Sequence, residues 1–109
     1  MTEPSETRYQ VVQQQAGDYT LALNDDGSFI QFTSAEASTL TIPAAADEPF
    51  ETGAELKIEQ AGAGAVTIEG AEGVTVNGLA GLVSAGQYAV IELTLVGPDT
   101  WVAHGNLTT

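Results

Sequence analysis

Apolar and polar residues alternate along this chain in short runs, with a period of two. Tyr19-Thr20-Leu21-Ala22-Leu23, Phe29-Ile30-Gln31-Phe32-Thr33, Thr39-Leu40-Thr41-Ile42 and Glu55-Leu56-Lys57-Ile58-Glu59-Gln60 each put apolar side chains on one face. Period-two alternation is the mark of a half-buried strand. Turn signals separate the runs. Asn24-Asp25-Asp26-Gly27 follows the first, Ser34–Ala37 the second, and Pro43, which has no N–H for a sheet ladder, stops the third. Residues 44–50 form a polar, alanine-rich loop with room for one helical turn, limited by Pro49. The longest strand runs from Tyr88 to Val96, and Gly97-Pro98-Asp99-Thr100 turns it into a hairpin with Trp101–Gly105. No stretch has the period of a long amphipathic helix. With turns every eight to twelve residues, the pattern predicts an all-β fold: a compact antiparallel β-sandwich or barrel of short strands.

Residues 1–17 lack this pattern and read as an extended N-terminal arm, with a strand around Tyr9–Gln13, or else as a frayed terminus. The β-domain is then expected over residues 18–109.

The segment from Gly62 to Gly78 is dense in glycine and holds two near-copies of one phrase, Val66-Thr67-Ile68-Glu69-Gly70 and Val74-Thr75-Val76-Asn77-Gly78. Glycine at this density either cradles a phosphate or turns a chain between strands. A dinucleotide site needs G-x-G-x-x-G at the start of a helix, and a P-loop needs a Gly-Lys-Ser/Thr ending. Gly62-Ala63-Gly64 instead leads into β-branched residues, and Lys57 precedes the glycines. The glycines are therefore expected at positive-φ positions in hairpin turns and bulges, between two short neighbouring strands. Two copies are too few for a solenoid.

Charge narrows the function further. Two basic residues, Arg8 and Lys57, stand against fifteen acids, for a net charge of −13. Nucleic-acid binding and attachment to anionic membranes both require clustered lysine and arginine, so neither is expected. A partner should instead offer a basic or apolar face. No cysteine is present, no apolar run is long enough to span a bilayer, and Met1–Gln10 has no signal-peptide pattern.

Catalytic candidates are few. His104 is the only histidine, and no nucleophile-elbow motif accompanies it, so it reads as a packed or surface residue. Asp25-Asp26 and Asp47-Glu48 lack the spacing of a calcium loop and read as solvated turn formers. Tyr88, Trp101, Phe29 and Phe32 read as core or subunit-contact aromatics rather than a ligand platform. No cofactor or metal site is predicted, and the chain is not expected to be an enzyme.

The order of these features resembles a small β-module of bacteriophage virion proteins. That resemblance rests on Tyr19-Thr20-Leu21-Ala22-Leu23, Thr39-Leu40-Thr41-Ile42-Pro43, Pro49-Phe50-Glu51-Thr52-Gly53, and Ile58-Glu59-Gln60-Ala61-Gly62-Ala63-Gly64. It continues through Gly73-Val74-Thr75-Val76-Asn77, Gly86-Gln87-Tyr88 and Asp99-Thr100-Trp101-Val102. Each piece alone is generic for β-proteins; their order and spacing carry the likeness, over about ninety residues. It implies a non-enzymatic structural role in capsid decoration, head-fibre or tail-fibre proteins, commonly trimeric. Only about eighteen residues precede the module, which leaves no room for a fibre shaft and favours a capsid decoration (cement) protein. Such a protein would be made in the host cytoplasm, join the virion and bind the major capsid protein as a homotrimer. A fibre tip that binds a host receptor or glycan is the alternative. The arm is the expected shell contact, with Arg8, Tyr9, Val11 and Val12 as its candidate residues, so that deleting residues 1–17 should leave a folded module.

Overall fold

A computed structural model of the chain describes residues 10–109. Among these residues eleven strands form in chain order: β1 (Val12–Gln15), β2 (Tyr19–Thr20), β3 (Phe29–Phe32), β4 (Ser38–Ile42), β5 (Glu55–Gln60) and β6 (Val66–Gly70). They continue as β7 (Thr75–Asn77), β8 (Val83–Ser84), β9 (Val90–Gly97), β10 (Thr100–Gly105) and β11 (Leu107–Thr108). Among the described residues the one helical element is a 3₁₀ turn at Leu23–Asp25. The Ala44–Phe50 loop holds the single turn its sequence allows, with the Asp47 and Glu48 amides donating to Ala44 O.

The strands are divided between two sheets. One has six strands in the order β1-β3-β5-β9-β10-β7, and the other five in the order β11-β8-β6-β4-β2. Both are mixed, which corrects the antiparallel expectation. β1–β3, β3–β5, β2–β4, β4–β6 and β7–β10 run parallel. β5–β9, β9–β10, β6–β8 and β8–β11 run antiparallel. The cause is the path of the chain. From β1 to β8 each strand lies in the opposite sheet from the one before it. Over β1–β6 the chain crosses to the other sheet and returns in its original direction, so β1–β3, β3–β5, β2–β4 and β4–β6 pair in parallel, whereas β8 returns antiparallel to β6. Of the consecutive strands, only β9 and β10 pair as a hairpin, at the predicted Pro98-Asp99 turn, with Asp99 at φ 48°.

Alternation within each strand produces the core. Ile30, Phe32, Leu56, Ile58, Ile91, Leu93 and Trp101 from the six-stranded sheet cluster with Leu40, Ile42, Val66 and Ile68 from the other. Each is at most 2% exposed, and burying a side chain of this size contributes roughly 1.5–3 kcal/mol. Trp101 meets Phe50 edge to face, with ring centroids 5.4 Å apart. Of the other aromatics, Phe32 is core, Phe29 is half-buried on the outer face, and Tyr88 is exposed, outside the core reading. A polar tie links the sheets: Ser84 Oγ donates to Gln60 Oε1 and accepts from the Val66 amide.

The glycine-rich stretch is scaffold, but not of the expected kind. Its two phrases are not paired neighbours, because β6 lies in the five-stranded sheet and β7 in the six-stranded one. Of its glycines only Gly73, at φ 87°, is in the left-handed region. Gly62 and Gly64 are glycine for a different reason: a Cβ there would collide with the backbone of Thr33, Ser34 and Glu36. Close approach of two chain segments, not turn geometry, demands them.

Candidate functional site

Of the four candidate contact residues, Arg8 and Tyr9 lie outside the described residues, while Val11 and Val12 can be placed. Val11 precedes β1 and Val12 begins it, at the edge of the six-stranded sheet. They are 66% and 61% exposed. The strand predicted at Tyr9–Gln13 is thus found at Val12–Gln15, where it lines up in parallel with β3. The Phe29 amide donates to Val11 O and the Thr33 amide to Gln15 O. Odd-numbered residues of β1 therefore turn their backbone groups toward β3. In a parallel ladder the groups of the residues between them point the opposite way, so Val12 and Gln14 direct theirs away from β3.

Two sets of side-chain hydrogen bonds fix this edge strand to the body. The first centres on Asp25, which is 3% exposed. Its Oδ1 accepts from Gln13 Nε2 at 2.7 Å, and its Oδ2 accepts from the Tyr19 hydroxyl at 2.7 Å and the Ala22 amide at 2.8 Å. One carboxylate thus joins β1, β2 and the 3₁₀ turn. The Tyr19 hydroxyl is pushed up to about 12 by burial, by its hydrogen bond to Asp25 and by that carboxylate's charge. Reading Asp25 as a solvated turn former was therefore incorrect: the Asn-Asp-Asp-Gly turn folds its second residue inward, where three donors satisfy it. The second set runs over the outer face, where Gln14 Nε2 donates to Gln31 Oε1 and Gln31 Nε2 to Glu59 Oε1.

The sequence singles out Val11 and Val12 as candidates but not the residues that position them, Gln13, Gln14, Tyr19 and Asp25. The run of three glutamines was the available signal. A polar strand with alternating amides can bond both inward to a buried acid and outward to a neighbouring strand.

Other places where chemistry could reside are plain. His104 is exposed, and its Nε2 lies 2.7 Å from Glu92 Oε1 across the β9–β10 pair. A cleft of about 90 Å³ opens between the Pro43–Phe50 loop and the β9–β10 turn. Its two carboxylates already accept backbone hydrogen bonds, Glu48 from Leu23 and Asp99 from Ala45. Among the described residues no group of three or more His, Asp or Glu is placed to hold a metal ion, and no helix is long and apolar enough to cross a membrane. No protein-family model matches the chain, and no curated protein matches it.

Proposed function

We propose that this chain is a non-enzymatic structural protein of a bacteriophage virion, a capsid decoration protein that binds the major capsid protein as a homotrimer. In this reading the two mixed sheets are the layers of a sandwich that presents β1 to the shell. The observation that carries the reading is an edge strand without charge on a strongly acidic molecule. From Gln10 to Gly17 there is no ionisable side chain, and both valines are exposed. The ordered phrases that resemble phage β-modules supply the class of partner.

A protein that binds only the assembled shell stabilises it in proportion to its affinity and free concentration. Repetition over a symmetric lattice multiplies the gain. Co-sedimentation with purified shells of the cognate phage tests the reading. The full chain should pellet with shells, and Val11→Asp/Val12→Asp, which changes exposed positions only, should remain in the supernatant. A full chain that never pellets with shells overturns the decoration role. A variant that pellets normally overturns the role of β1. Mass in solution, by light scattering, tests the trimer.

A further inference from the structure

We infer that the outward edge of β1 is a strand-addition site, and that its occupant is an extended segment of a partner protein with an apolar centre flanked by lysine or arginine. The inference rests on the proposed role of β1 as the docking segment, but it specifies the chemistry that would dock there.

Backbone geometry comes first. The N–H and C=O groups of Val12 and Gln14 point away from β3. Among the described residues β1 is the outermost strand on its side of the sheet, and no described strand pairs with these groups. Soluble proteins usually blunt such edges with lysine, proline, bulges or very short strands. β1 has no charge and no proline, and its four-residue ladder to β3 is unbroken. The other outermost strands are shorter: β2 and β11 have two residues each and β7 has three. β1 is also held in place before any partner arrives, by Asp25 through Gln13 and by Gln31 through Gln14. A preformed strand keeps most of its ordering cost out of the binding step.

Charge then selects the occupant. Asp18 follows β1 closely at one end. At the other end Gln10 Nε2 donates to Gly27 O, next to Asp26, whose Oδ1 accepts from the Glu55 amide at the start of β5; Asp18 Oδ1 likewise accepts from the Thr39 amide of β4. Both aspartates are exposed. An antiparallel β1 from a second copy would bring together two molecules that each carry −13. Like charge on both works against the pairing. An incoming strand with basic residues at both ends is instead drawn by the molecule's negative charge, while its apolar centre covers Val12. Main-chain bonds supply affinity and the flanking charges supply selection.

Two peptides test this without shells: acetyl-Lys-Thr-Val-Thr-Val-Thr-Lys-amide and its counterpart with glutamate at both ends, each titrated into ¹⁵N-labelled full chain at low salt. The basic peptide should shift and protect the Val12 and Gln14 amides, and bind roughly tenfold or more tightly than the acidic one. Gln14→Pro removes an outward N–H and leaves the β1–β3 ladder intact, since proline is tolerated where the N–H faces solvent. Gln14→Ala removes the same side chain but keeps the N–H. Binding should be lost in Gln14→Pro and kept in Gln14→Ala, with the spectra of the free variants reporting an intact fold. Equal binding of the two peptides overturns the charge selection, and shifts confined to other residues overturn the site. A folded Gln14→Pro that binds like the wild type overturns strand addition. Peptide binding without shell binding would dismiss the capsid role alone; shell binding with neither peptide bound would dismiss this inference alone.

Discussion

Removing the Asp25 carboxylate would leave the Gln13 amide, the Tyr19 hydroxyl and the Ala22 N–H facing a buried site with no acceptor. Hydrogen bonds to charged groups contribute about 1.5–3 kcal/mol, and an unsatisfied buried donor costs about as much. Asp25→Ala is therefore expected to lose about 3 kcal/mol of stability, read from urea midpoints. The same variant changes the titration of Tyr19. Its hydroxyl, at about 12, is raised first by burial and then by Asp25 through hydrogen bonding and charge. Without Asp25 only the burial contribution remains, so the value should fall but stay above the ordinary 10, as followed by NMR of the Tyr19 ring. The sign of the pH effect follows. Because the folded-state value lies above the unfolded one, this contribution is complete below pH 10 and is lost as pH rises from 10 through about 12. Gly64 illustrates another constraint at this scale. A Cβ there enters the backbone of Glu36, whereas one at Gly73 meets open space and faces only the strain of positive φ. Gly64→Ala should cost about 3 kcal/mol, as overpacking does, and Gly73→Ala about 1–2 kcal/mol. A larger loss at Gly73 than at Gly64 would show that backbone approach is not what requires the glycine at 64.

At the scale of elements, β1 is a layer of the sheet as well as a candidate contact. Deleting residues 1–10 leaves its ladder and the Asp25 bonds in place. Deleting residues 1–17 removes the ladder and the Gln13 bond, exposes the edge of β3 and leaves Asp25 with one donor fewer. The longer deletion should lower the urea midpoint clearly below that of the shorter, against the expectation that the folded module begins at residue 18. Equal midpoints would show that β1 adds nothing to the fold. What could be read from the sequence follows from what each signal encodes. Period-two alternation located β3, β4, β5, β9 and β10, because a sheet with one buried face imposes that period wherever the strand sits. Strand direction was not legible. A glycine or asparagine turn looks alike whether the chain doubles back within a sheet or corners into the other one, and here nearly every turn is a corner. Pairing partners far apart in sequence leave no local mark. For the same reason Val11 and Val12 stood out as apolar residues in a polar arm, while their link to Asp25 through Gln13, twelve residues away, did not.

For the whole molecule the dominant quantity is the charge of −13. Folding gathers these carboxylates onto a body with a radius of gyration of 13.7 Å, and only His104 and Glu92 form an ion pair among the described residues. Self-repulsion of this kind opposes the compact state more than the expanded unfolded chain. Salt should therefore stabilise the protein. Between about 0.01 and 1 M the screening length falls from about 30 to 3 Å, which is from larger than the molecule's radius to the size of a single contact. Relief of about 1 kcal/mol would raise the thermal midpoint by ~4–8 °C in a domain of this size. The charge origin can be separated from general salting-out with Glu36→Gln/Glu51→Gln/Glu72→Gln. All three residues are exposed, so these changes lower the charge without emptying the core. The triple variant should melt higher than the wild type at low salt and gain less from added sodium chloride, so that the two curves converge at high salt. Parallel curves would assign the salt effect to water structure around apolar surface rather than to repulsion. The same repulsion bears on assembly. A molecule that repels its own copies at low salt, while keeping one uncharged edge open, is better suited to bind a surface of opposite charge than to aggregate with itself. The salt that stabilises the fold should then weaken binding of the proposed basic partner.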